Sequence, residues 1–255
     1  MDSDEKQPFL SHLEELRKRL ITCAIGVGIG FVVAYIFSER LFQLLIAPLY
    51  TVMPEGDQLI YTNLPEMFFT YIKVAFITGI MLAAPLIFYE LWMFVAPGLY
   101  QKEKKYLIPF VVCSTILFVG GGLFGYFVVF PFGFKFFIGF SNEYVKALPS
   151  VKQYFSFSIK LLIAFGAVFE LPLIIYFLAK MGIVTPEFLK QKRKYAILMT
   201  FTLAAILTPP DVVTQCMMAG PLIILYEIGI LVSKLARKKK GGSDEDVENQ
   251  GSSDD

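Results

Sequence analysis

Six apolar runs, set apart by short charged segments, constrain this chain more than any other feature. They cover residues 20–37, 67–91, 107–130, 155–179, 195–207 and 212–232. A membrane-crossing helix needs about 20 apolar residues. The runs therefore predict an all-α membrane protein with six transmembrane helices. Hydrophobic residues make up 56% of the chain, above the roughly 45–50% of soluble domains, and the excess sits in these runs. Residues 1–235 are expected to form one six-helix membrane domain. The fifth run is short. At about 1.5 Å per residue it reaches only about 20 Å, against a hydrocarbon core of about 30 Å. It is expected either to be sheltered by neighbouring helices or to thin the bilayer beside it.

The basic residues orient the spans. Seventeen of the 23 Lys and Arg residues fall on one side: at the start of the chain, around Lys102–Lys105, around Lys180–Lys194, and from Lys234 onward. Loops rich in Lys and Arg stay in the cytoplasm, so both termini are expected there. The start, Met1 to Gln7, is acidic and polar, so no cleavable leader is expected and the first run stays as a span. Residues 236–255 join a Lys/Arg cluster to a Gly-, Ser- and acid-rich end, which predicts a disordered charged cytoplasmic tail.

The outer connections differ in kind. Residues 38–66 hold an amphipathic stretch around Leu41–Ile46, followed by Pro48, Pro54 and Pro65. Such a stretch is suited to lie at the interface, and Pro48 is read as structural. Residues 131–153 are rich in Phe and Gly, and the two loops together are expected to cap the bundle. Thr208-Pro209-Pro210-Asp211 is a tight turn, with Asp211 placed to N-cap the sixth helix. Gly26/Gly30 and Gly121/Gly125 read G-x-x-x-G, a spacing that lets helices approach closely within the bundle.

Catalytic and metal-binding patterns are missing. There is no phosphate-binding loop, no dinucleotide fingerprint and no metalloprotease motif. His12 is the only histidine. Cys23, Cys113 and Cys216 lie in apolar runs without ligand spacing and are read as packing residues. Neither an enzyme nor a cofactor, metal or nucleic-acid partner is expected. One residue stands out in the opposite sense. Glu170 is the only charge between Leu161 and Ala179. A charge at the bilayer centre costs about 2.5 kcal/mol or more, so this acid is expected to face protein or water and to be functional. The competing structural role is a hydrogen bond to a neighbouring helix.

Two segments on the basic side carry other acids. In Ser11-His12-Leu13-Glu14-Glu15-Leu16-Arg17-Lys18-Arg19, Ser11 and Glu14 have the spacing of a capping box. Glu15 is placed to pair with Arg19 one turn on, an interaction worth only about 0.2–0.5 kcal/mol, so Glu15 is available to exchange Arg19 for another cation. The loop after the second span, Phe94-Val95-Ala96-Pro97-Gly98-Leu99-Tyr100-Gln101-Lys102-Glu103-Lys104-Lys105, breaks at Pro97-Gly98. On charge alone Glu103 is a solvated acid paired with its lysine neighbours.

The runs SHLEELRKRL, FVAPGLYQKEKK and GYFVVFPFGFKFF, the pair Phe169-Glu170, and LTPPDVVTQ resemble, in that order, the TatC family. TatC is the receptor subunit of the twin-arginine protein translocase of the bacterial cytoplasmic (inner) membrane. The resemblance covers essentially the whole chain except the acidic tail. It implies a receptor that binds paired-arginine signal peptides and, with TatA-like and TatB-like single-span partners in an oligomeric complex, exports folded proteins using the proton gradient. It also implies that Glu15 and Glu103 accept the arginines bidentately, with Phe94 packing against the apolar part of the signal. Thr208 and Gln215 then either contact a partner helix or hydrogen-bond within the bundle. Glu170 either bonds a partner's polar group or responds to the gradient. The competing reading is a proton-coupled small-molecule transporter with Glu170 as the proton site. Such carriers usually show internal repeats, and none is visible here.

Overall fold

The computed structural model describes residues 6–54, 56–95, 107–141, 144, 147–208 and 211–250, with side chains from residue 12 to residue 236. It is helical almost throughout. The elements are α1 (Lys6–Ile36), α2 (Ser38–Tyr50), α3 (Glu66–Val95), α4 (Leu107–Phe124), α5 (Phe130–Ile138), α6 (Val151–Phe169), α7 (Leu171–Lys180), α8 (Pro186–Gln191), α9 (Arg193–Leu207) and α10 (Val212–Gln250). Two compact units divide at Ile163/Ala164; α6 runs from the first into the second.

Five stretches are long and apolar enough to cross a membrane: His12–Ile36, Glu66–Val95, Leu107–Ile138, Val151–Lys180 and Val212–Ala236. The sixth, α9, has 15 residues and reaches about 22 Å. Its Ile197, Leu198, Met199 and Ile206 are exposed. Thr200 and Ala204, on its other side, are buried, so α9 is covered on one face only.

The first unit is organised by an antiparallel pair, α1 on α3. On α1, Gly26, Gly30 and Ala34 fall on one helical face and lie against α3. A Cβ at Gly30 would sit 2.6 Å from the Gly79 carbonyl oxygen, and one at Gly79 would sit 2.6 Å from the Phe31 nitrogen. Here two backbones touch, and neither can yield as a flexible side chain would. Gly79→Ala is accordingly expected to cost about 1–3 kcal/mol, the usual range for overpacking a filled core. A thermal melt in detergent that matches the wild type would contradict this.

Three differences from the sequence expectations have local causes. The helix α1 starts at Lys6, so Ser11 lies inside it rather than at its N-cap, where a capping box would need it, and Glu14 is exposed. Pro8 sits in the first turn, where a missing N–H costs nothing. Next, residues 131–138 are helix rather than loop. Between α4 and α5 the chain widens into a π-type turn, Gly125–Val129. That widening gives the ring of Pro131 room against the carbonyl four residues back, which a regular helix would not. Finally, α10 stays helical to Gln250, where disorder was expected from residue 236. Extending an existing helix is far easier than starting one.

At the far end of the first unit, α2 packs Leu45, Ile46, Pro48 and Leu49 inward, and Phe42 stacks on the buried ring of Phe155 with centroids 4.6 Å apart. Pro48 has no N–H, so the Leu44 carbonyl lacks its regular helical donor. The Tyr126 hydroxyl, on the π-type turn, donates to that carbonyl at 2.6 Å. The Tyr154 hydroxyl donates to the neighbouring Leu45 carbonyl at 2.6 Å. Pro48 thus opens an acceptor through which α2 is tied to the membrane helices.

Glu66 fastens the same end. It is buried at the first turn of α3. One carboxylate oxygen accepts from the Lys152 N–H at 2.7 Å and the Ser150 hydroxyl at 2.8 Å; the other accepts from the Thr62 N–H at 3.0 Å. The Lys152 N–H is one of the first-turn donors that α6 leaves without a helical partner. Beside it, Ile60 and Ser150 form a single parallel bridge. One carboxylate therefore joins the segment before α3 to the start of α6.

In the second unit, α10 lies against α7, α8 and α9, around Ile175, Leu189 and Ile230. The Tyr226 hydroxyl donates to the Leu189 carbonyl at 2.8 Å.

Candidate functional site

Where α1 begins and α3 ends, polar groups gather on facing helices. His12, Glu15 and Arg19 follow the spacing of one helical face, and Glu90 and Phe94 are one turn apart on α3. The antiparallel register set by Gly30 and Gly79 brings these two sets opposite one another. Arg19 bridges the helices. Its Nε donates to Glu15 Oε1 at 3.1 Å and its Nη2 donates to the same oxygen, while Nη1 donates to Glu90 Oε2 at 3.1 Å. One turn further out, the rings of His12 and Phe94 stack with centroids 4.4 Å apart and 20° between planes.

The neighbouring turn of α3 is held from its other side. The Trp92 Nε1 donates to the Ser114 hydroxyl of α4 at 2.9 Å, both residues being buried. Trp92 also packs against Phe110. This anchor leaves Glu90 and Phe94 directed at α1.

The cluster holds two carboxylates and one guanidinium, a formal charge of −1. Side-chain exposures are 38% for Glu15, 17% for Arg19 and 15% for Glu90, so Glu15 is the arm that solvent or a ligand reaches. The site can hold a planar, multiply donating cation next to an aromatic platform. Glu15 and Phe94 are brought to one place; Glu103 lies outside the described residues. Glu90 was not picked out from the sequence, although a signal was there. It is the only charged residue from Val74 to Val95, the same isolation that marks Glu170.

The remaining sequence candidates lie elsewhere. Glu170 is buried at the junction of α6 and α7, just before Pro172, whose ring interrupts the helical ladder. Asp211 caps α10, with its Oδ1 accepting the Thr214 N–H at 2.8 Å. Thr208 is buried and donates to the Ala204 carbonyl at 2.9 Å; Gln215 Nε2 donates to the Phe201 carbonyl at 3.0 Å. Both of these hydrogen bonds lie within this chain. Glu227 pairs with Arg193 at 2.6 Å. Among the described residues, no group of three or more His, Cys, Asp or Glu is placed to hold a metal ion.

Comparison with known proteins bears on the same residues. The family model described as Sec-independent protein translocase protein (TatC) matches residues 11–221. A TatC protein of Desulforapulum autotrophicum is 57% identical over 244 residues, covering 96% of this chain and 90% of its own length. That of Escherichia coli is 41% identical over 234 residues, covering 92% and 91%. A crystal structure of the twin arginine translocase receptor TatC superposes with a TM-score of 0.80 at 43% identity, covering 89% of this chain and 99% of that one.

Proposed function

Since this chain belongs to the Sec-independent protein translocase TatC family, a family of membrane translocase components rather than enzymes, we propose that it is a receptor for twin-arginine signal peptides and that the Glu15/Phe94 end of α1 and α3 is where it reads them. The observation that carries this is the Arg19 bridge. A guanidinium is already seated between carboxylates from two helices, so the site is shaped for arginine before any ligand arrives. A planar fork gains two parallel bonds at a carboxylate, whereas a lysine ammonium offers a point charge. Glu103, nine residues after Phe94 in the sequence, supplies the second acid. The ring of Phe94, half-buried and stacked on His12, receives the apolar stretch that follows the arginines.

In this reading the receptor end and both termini face the cytoplasm of a bacterial inner membrane. TatA-like and TatB-like single-span helices join it, using the exposed apolar face of α9 and the Thr208/Gln215 turn. Folded cargo crosses at the expense of the proton gradient, with Glu170 as a polar contact for a partner. A carrier with Glu170 as proton site has no second observation behind it.

The test is equilibrium binding of two fluorescent signal peptides, differing only in Arg-Arg or Lys-Lys at the paired position, to the purified chain in detergent. The Arg-Arg peptide is expected to bind about tenfold or more tightly. Equal binding of both, or of neither, would overturn the receptor reading.

A further inference from the structure

Arg19 occupies the very carboxylate that the receptor reading assigns to the ligand. Glu15 receives two of its N–H groups and Glu90 a third. The Arg19 side chain is only 17% exposed, while that of Glu15 is 38% exposed. An incoming arginine therefore does not meet an empty acid. It meets an acid already satisfied by a group of its own kind.

We propose that Arg19 is an internal occupant of the signal-binding seat, and that recognition proceeds by exchange: the ligand's guanidinium takes Glu15 while Arg19 is retained on Glu90. This rests on the receptor reading above. Its consequence is a common threshold. When a guanidinium replaces a guanidinium on Glu15, the bonds lost and gained match in number and geometry. When an ammonium replaces it, two aligned N–H bonds give way to one point contact, and the exchange is unfavourable. Arg19 lowers the affinity of either ligand by the same factor, so that only a cation able to replace its bonds gains the seat, while the preference for arginine comes from the carboxylate itself.

Glu90 is necessary to this scheme for a second reason. Arg19 lies in a largely covered position, where an uncompensated charge is costly. Glu90, 15% exposed and on the other helix, keeps Arg19 paired at 3.1 Å when Glu15 is given up. Without Glu90, Arg19 would hold Glu15 as its sole partner and release it less readily. Glu90 is a positioning residue in this sense; it acts through Arg19 and does not touch the ligand.

The experiment uses the full chain in detergent with the Arg-Arg and Lys-Lys peptides. Arg19→Gln removes the competitor and leaves both carboxylates for any cation. Both peptides are expected to bind about tenfold more tightly, with the Arg-Arg to Lys-Lys affinity ratio kept. Glu90→Gln is expected to weaken Arg-Arg binding about fivefold with the ratio kept. Arg19→Lys keeps the charge but holds Glu15 by a point contact and, should Arg19→Gln not fold, decides the matter by strengthening both peptides at least about threefold. Affinities unchanged in the Arg19 variants, with the wild-type preference for Arg-Arg intact, overturn the exchange scheme alone. A wild-type chain without preference overturns the receptor reading beneath it. A purely structural Arg19 would lower both affinities when replaced, which also overturns the scheme.

Discussion

Glu15→Ala is expected to weaken binding of a twin-arginine signal by about 30-fold or more and to leave the fold intact. Glu15 is the most exposed member of the cluster at 38%, and nothing in the core leans on it. Its removal does not strand Arg19, which keeps Glu90 at 3.1 Å. What disappears is the acceptor that a ligand guanidinium reaches. Peptide binding followed by fluorescence anisotropy, with a thermal melt of the same sample, separates the two effects. Unchanged melting with lost binding is the expected pair; unchanged binding would remove Glu15 from the site. Glu15→Gln should fall between wild type and Ala, since an amide oxygen accepts one bond without charge.

The second large effect lies at the opposite end of the first unit. Glu66→Ala removes the acceptor for the Lys152 and Thr62 N–H groups and the Ser150 hydroxyl together. Donors left without a partner carry the full cost of having been withdrawn from water. The melting temperature is expected to fall by about 5–10 °C, and limited proteolysis should open first in residues 56–65 and 147–150, the segments whose Thr62 and Ser150 are held by Glu66. A melt and a cleavage pattern like those of the wild type would show that the latch contributes nothing. Glu66→Gln keeps one acceptor oxygen and is expected to recover about half of the loss.

The spans were legible because long apolar runs admit few alternatives, and the shortness of α9 could be read directly from residues 195–207. The Asp211 cap and the Gly26/Gly30 contact follow from local spacing and were legible for the same reason. What escaped was set at long range. Ser150 and Lys152 lie 84 and 86 residues from Glu66, so no local pattern announces that latch. The Ser11/Glu14 spacing fits a capping box, yet an earlier helix start at Lys6 makes the pattern irrelevant. Pro48 was read as structural, but that it frees the Leu44 carbonyl for Tyr126, 82 residues on, needs the fold. At the candidate site, Glu15 and Phe94 were picked out through the family resemblance, and Arg19 through the i,i+4 rule. Glu90 sits near the end of a span, where a charge reads as interfacial; its isolation between Val74 and Val95 is the cue in the sequence that marks it, as isolation marks Glu170.

The decisive measurement is photo-crosslinking in native membranes from a reactive side chain at position 103 to a signal peptide bearing either Arg-Arg or Lys-Lys. A receptor that reads paired arginines at this end of the chain gives a crosslink with Arg-Arg that weakens with Lys-Lys and fades with Glu15→Ala. A folded chain that gives no crosslink with either peptide, or an equal one with both, contradicts it.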